Sequence, residues 1–191
     1  MIDPSHGGDD KGAALGGKLL EKDLTLALAR ELRRELEDRG IPARLLRESD
    51  ASLSLERRAE IANEEHAAIY VALHAGPPGN GVRVYMPLLP SPPAHSGSFL
   101  RWESAQAAVL DRSKGLALAV AADLRKAGMT VSTLATPLRP LNNLVAPAIA
   151  VEWTPPTGRW RVGENQKTLN ALASAIATGI ARARWQMGAH S

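Results

Sequence analysis

Apolar positions recur along this chain in two alternating rhythms. Leu24, Leu28, Leu32 and Leu36 stand four apart within residues 22–39, with arginines and glutamates between them. That spacing marks one face of an amphipathic helix. Gly40 and Pro42 stop it, as a glycine just past a helix end and a following proline do. Residues 54–65 predict a second helix with Ser54 as its N-cap. Val109, Leu116, Val120 and Leu124 predict a third, closed by Gly128, and Leu169, Leu172, Ile176 and Ile180 a fourth. Short apolar runs lie between them at 68–73 (AIYVAL), 82–86, 129–134 and 148–152 (AIAVE). Further strands are expected at 43–47 and at the opening Met1-Ile2. Runs that are apolar on both faces suit buried, parallel strands. Helices alternating with such strands predict an α/β fold: a single twisted, mostly parallel sheet flanked by helices on both faces.

Composition narrows the class. At 191 residues, 45% apolar and 23% charged, the chain reads as one globular domain spanning 1–191. Only Met1 and Ile2 precede a polar loop, so the first strand is expected to be truncated at Met1. The absence of cysteine excludes a disulfide framework, a zinc ribbon and a thiol nucleophile. The net charge is only +3, and the arginines between Arg30 and Arg58 are interleaved with glutamates. Such a pattern is a solvated helix face rather than a nucleic-acid stripe. Aromatics at 4% offer no platform for stacked bases. No run reaches the roughly 18 apolar residues that cross a bilayer, so no membrane insertion is expected. The segment 87–99 holds Pro87, Pro90, Pro92 and Pro93 and reads as a long loop at the rim of a cleft, shaping substrate choice.

In open α/β sheets, ligands bind beyond the carboxyl ends of the strands. Several chemically useful residues fall there. Met1-Ile2 leads to Asp3 and His6, the run 68–73 leads into His74, and the run 148–151 leads into Glu152. Glu21 opens the first long helix. Two histidines with a carboxylate are a ligand set of hydrolytic zinc sites, and a second carboxylate can serve as general base. Each residue also has a structural explanation. A histidine after a strand is often merely hydrogen-bonded, and a glutamate at a helix start complements the macrodipole. A carboxylate straight after four apolar residues, like Glu152, is costly unless paired or bound. Asp9 and Asp10 read as solvated, and Asp3 as a turn residue before Pro4 or as an acceptor near the site. Arg139 reads as either a clamp for a substrate carboxylate or a surface arginine. His66, His95 and His190 are given no role.

These residues carry a resemblance. Ile2-Asp3-Pro4-Ser5-His6-Gly7-Gly8-Asp9 resembles the I-D-P-G-H-G-G-x-D opening of the zinc-dependent N-acetylmuramoyl-L-alanine amidases, the Amidase_3 family. Glu21-Lys22-Asp23-Leu24, Leu55-Glu56-Arg57-Arg58 with Ala62-Asn63, Leu73-His74-Ala75 and Pro147–Glu152 resemble further blocks of that family, in the family's order. The resemblance implies that His6, Glu21 and His74 bind zinc and that Glu152 is the catalytic carboxylate. It also implies a peptidoglycan substrate, the amide between N-acetylmuramic acid and L-alanine, and action in the periplasm or outside the cell. The alternatives are another zinc-dependent amide hydrolase on this fold, or a non-catalytic wall-binding module. A module would have no use for the base. The chain departs from the pattern at Ser5, where the family has Gly, at Gly76-Pro77-Pro78, and over Trp153–Gly158. Without glycine, the turn before His6 is expected to avoid positive φ at Ser5 or to be strained there.

Overall fold

The sheet is built from β1 (Ile2–Pro4), β2 (Tyr70–Ala75), β3 (Gly81–Pro87), β4 (Val131–Thr136) and β5 (Ala148–Thr154), in the order β1-β2-β5-β3-β4. The helices are α1 (Glu21–Glu37), α2 (Leu55–Glu64), α3 (Leu110–Lys126) and α4 (Gln166–Gly188). The computed structural model describes residues 1–15, 19–77, 79, 81–89, 102–155 and 166–188. Three strand pairings are parallel; β3 runs antiparallel to β5. The mostly parallel α/β sheet expected from the sequence is therefore present, with one reversal at its centre.

The alternation of side chains along β2 and β5 separates two cores. Val71, Leu73, Ile149 and Val151 pack with Leu28, Leu32, Leu116, Val120, Leu172 and Ile176 of α1, α3 and α4. Tyr70, Ala72, Ala148 and Ala150 face the other way, onto Ala59 and Ala62 of α2 and onto Leu141 and Leu144 around a 3₁₀ turn at Leu141–Asn143. In a strand, residues two apart share a face. His74 and Glu152 therefore belong to the α2 face. Ser54 caps α2 as expected, its hydroxyl accepting from the Arg57 amide at 3.1 Å.

The strand expected at 43–47 does not form. Ile2 donates to Arg44 O and accepts from the Leu46 amide, which makes only one bridge, Ile2 to Leu45. Beyond it Arg47 turns inward and bonds the carbonyls of Pro4, Ser5 and Lys22. The ladder stops because its next rung would need an amide at residue 4, and Pro4 has none. Most of the predicted proline loop (90–99) and the stretch 156–158 lie outside the described residues.

Candidate metal centre

β1 delivers the chain into Ser5-His6, and the positive φ falls at His6 (64°) rather than at Ser5. A non-glycine residue there needs support. Two buried arginines supply it. Arg58 donates to the His6 carbonyl at 2.8 Å, and Arg47 donates to Pro4 O at 2.9 Å and to Ser5 O at 3.2 Å. Arg58 is anchored in turn by Asp3, whose carboxylate also accepts from the Tyr70 hydroxyl. At 1% exposure Asp3 is part of the buried frame rather than a turn residue. Burial, and then the Asp3 charge, push the Tyr70 hydroxyl well above its usual pKa.

Glu21 does more than complement a helix dipole. Its Oε1 accepts from the Ala75 amide at 3.0 Å and its Oε2 from the Ala13 amide at 2.9 Å. The same carboxylate lies 3.1 Å from His6 Nε2 and 3.1 Å from His74 Nδ1. Burial opposes its charge, but the bonds from His6, His74 and the two amides outweigh that and hold its carboxyl well below the usual range. A side chain at Gly12, where φ is 63°, would bring a Cβ within 2.7 Å of both Glu21 Oε2 and His6 Cδ2. Glycine is required there by the approach of the loop to the site.

The structure thus brings His6, Glu21 and His74 together, each offering one donor atom, all within 4.8 Å of one another. The imidazole rings meet edge-to-face, 5.5 Å between centroids. Donors each held at about 2.0–2.2 Å around one tetrahedral ion stand about 3.3–3.6 Å apart, and the two 3.1 Å separations from Glu21 to the imidazole nitrogens come close to that spacing. The outer nitrogens are also engaged: His6 Nδ1 lies 2.8 Å from Asp10 Oδ2, and His74 Nε2 2.9 Å from Ser5 Oγ. The hydrogen bond with Glu21 raises the His6 pKa despite burial, and Asp10 adds to it.

Glu152 stands opposite His74 across the β2–β5 pairing and opposite Arg83 across β5–β3, so the three form one row on the α2 face. Its side chain is 18% exposed. Oε1 accepts from Arg83 Nη1 at 2.8 Å and Oε2 from the Tyr85 hydroxyl at 2.6 Å. A Cβ at Gly76 would come within 2.3 Å of Glu152 Oε1, so this departure from the family pattern makes room for the carboxylate.

Sequence reasoning missed Asp10, Arg83 and Tyr85. Asp10 is exposed, yet it is bonded to His6 and to the Gly12 amide rather than merely solvated. Its signal was the short spacing from His6 in a glycine-rich loop. Arg83 and Tyr85 carried the period-two signal of β3, but nothing local named β5 as their neighbour. Arg139 pairs with Glu56 of α2 at 3.3 Å.

The family model described as Amidase_3, N-acetylmuramoyl-L-alanine amidase, matches residues 1–182. The chain belongs to that family. Among Amidase_3 relatives, the germination-specific N-acetylmuramoyl-L-alanine amidase of Bacillus subtilis strain 168 is 38% identical over 38% of this chain and 36% of its own. The probable cell wall amidase LytH of Staphylococcus aureus is 39% identical over 44% of this chain and 30% of its own. The matches therefore span about a third of these curated amidases. Among solved structures, N-acetylmuramoyl-L-alanine amidase AmiC2 of Nostoc punctiforme superposes with a TM-score of 0.73 at 27% identity, covering 95% of this chain and 93% of that one. No described helix of the amidase-family chain is long and apolar enough to cross a membrane.

Proposed function

We propose that this chain is a zinc-dependent N-acetylmuramoyl-L-alanine amidase, a single catalytic domain that cleaves the amide between the lactyl group of N-acetylmuramic acid and L-alanine in peptidoglycan. The observation that carries this reading is the convergence of His6, Glu21 and His74 on one point, with Glu152 in the next strand beside His74. His6 Nε2, a Glu21 oxygen and His74 Nδ1 would hold the ion. Bound zinc supplies a Lewis acid that lowers the pKa of water towards about 7 and polarises the scissile carbonyl.

The chain's own residues do the rest. Glu152 takes a proton from the attacking water and passes it to the departing alanine nitrogen. Arg83 and Tyr85 each donate to a different oxygen, which orients the carboxylate plane while leaving each oxygen a further lone pair. Arg47 and Arg58 keep the His6 loop in its left-handed turn. The substrate places the reaction outside the cytoplasmic membrane. The relatives' names support the same amide and the same wall.

Digestion of purified peptidoglycan with zinc-loaded protein, read by mass spectrometry, tests the proposal. Free stem peptides beginning with L-alanine are expected. Shortened stems would assign a different amide hydrolase, and sedimentation with the wall without any product would assign a binding module.

A further inference from the structure

We propose that Ser5 is a positioning residue that selects the nitrogen His74 presents to the metal; the inference rests on the metal-site reading above. Ser5 stands where the family opening that this chain resembles has glycine, and it brings a hydroxyl to that turn. The backbone that carries it is fixed in space. Ser5 is 5% exposed, its amide donates to Leu73 O at 3.1 Å, and its carbonyl accepts from Thr25 Oγ1 at 3.0 Å and Arg47 Nη2 at 3.2 Å.

The imidazole it meets is not otherwise fixed by its own torsions. The outer torsion of a histidine is broad and roughly two-fold, so the ring flips easily unless something holds it. As seated, Nδ1 faces Glu21 Oε1 and Nε2 lies 2.9 Å from Ser5 Oγ. A half-turn would put Cδ2 towards Glu21 and Cε1 towards Ser5, losing both contacts. Ser5 therefore biases the ring before any ion arrives. It can also meet the tautomer that a metal imposes, because a hydroxyl accepts as readily as it donates. With the Nδ1 lone pair given to a metal, the neutral ring carries its proton on Nε2, which donates to Ser5 Oγ. Asp10 does the corresponding work on His6, engaging Nδ1 at 2.8 Å and leaving Nε2 for the site. The two histidines are thus presented through different nitrogens by two different outer partners.

Loss of an outer hydrogen-bond partner typically weakens metal binding about 10- to 100-fold. Ser5→Ala removes the hydroxyl and keeps the Cβ. Zinc affinity is measured by competition with a chromophoric chelator, for wild type and Ser5→Ala. The variant should bind about tenfold more weakly, the lower end suiting a neutral partner. In zinc-loaded wild type, nitrogen-15 spectra of the imidazoles should show His74 protonated at Nε2 and coordinated at Nδ1. Wild-type protein that takes up no zinc would remove the metal reading and this inference with it. Wild type that binds zinc while Ser5→Ala matches it within about twofold would overturn the Ser5 proposal and leave the metal site standing. Coordination through His74 Nε2 in wild type would overturn it as well, and that measurement requires no variant to fold.

Discussion

Glu21 is itself buried and the His6 turn is held by buried arginines, while Glu152 leans on an exposed one, Arg83. The Glu21 side chain is 8% exposed and tied to two backbone amides and two imidazoles. Behind it, Arg58, Asp3 and Tyr70 form a buried frame that fixes the His6 turn. Glu152 is 18% exposed, and its cationic partner Arg83 is 46% exposed at the far end of a flexible side chain. The contrast fits two tasks. Metal donors must be held in place before the ion arrives, because reorganising them weakens binding. A proton carrier must reach first a water and then an amine, so a looser hold serves it.

Substitutions can break or sharpen this contrast. Glu21→Gln should have the largest effect: one carbonyl oxygen cannot serve two amides, two imidazoles and an ion. Elemental analysis should find no retained zinc, and peptidoglycan turnover should vanish. Arg58→Met should leave the Asp3 carboxylate buried without its cation. Breaking a buried pair on one side costs about 3–5 kcal/mol, so thermal or denaturant unfolding should shift strongly, with zinc affinity falling as the His6 carbonyl is released. Arg83→Gln should be far milder. An exposed ion pair is worth about 1 kcal/mol or less, so kcat should fall about fivefold or less with zinc content unchanged. Arg139→Ala should do least, within about 0.5 kcal/mol in stability and without change in zinc or kcat. A large rise in KM there would instead restore it as a clamp for a substrate carboxylate.

The tight region and the loose one were also unequally legible in the sequence. His6, His74 and Glu152 stand out because each follows an apolar run, and the helical period of α1 placed Glu21 at a helix start. What periodicity could not supply was register. Nothing local in Gly81–Pro87 says that this strand lies antiparallel beside β5, so Arg83 and Tyr85 could not be assigned to Glu152. The buried frame was hidden for a similar reason. Arg47 and Arg58 look like surface arginines in a charged stretch, and only the fold shows that their donors end on the carbonyls of Pro4, Ser5 and His6. The strand expected at 43–47 failed for another reason, the missing amide of its neighbour Pro4.

The central claim is that one region binds the ion and the other moves the proton. Glu152→Gln separates them, because glutamine keeps the shape and cannot accept the proton. Zinc per chain and peptidoglycan turnover are measured on the same preparation. The account predicts wild-type zinc content with turnover reduced about 10²- to 10⁴-fold, the usual worth of general acid–base catalysis. Loss of zinc, or turnover close to wild type, would contradict it.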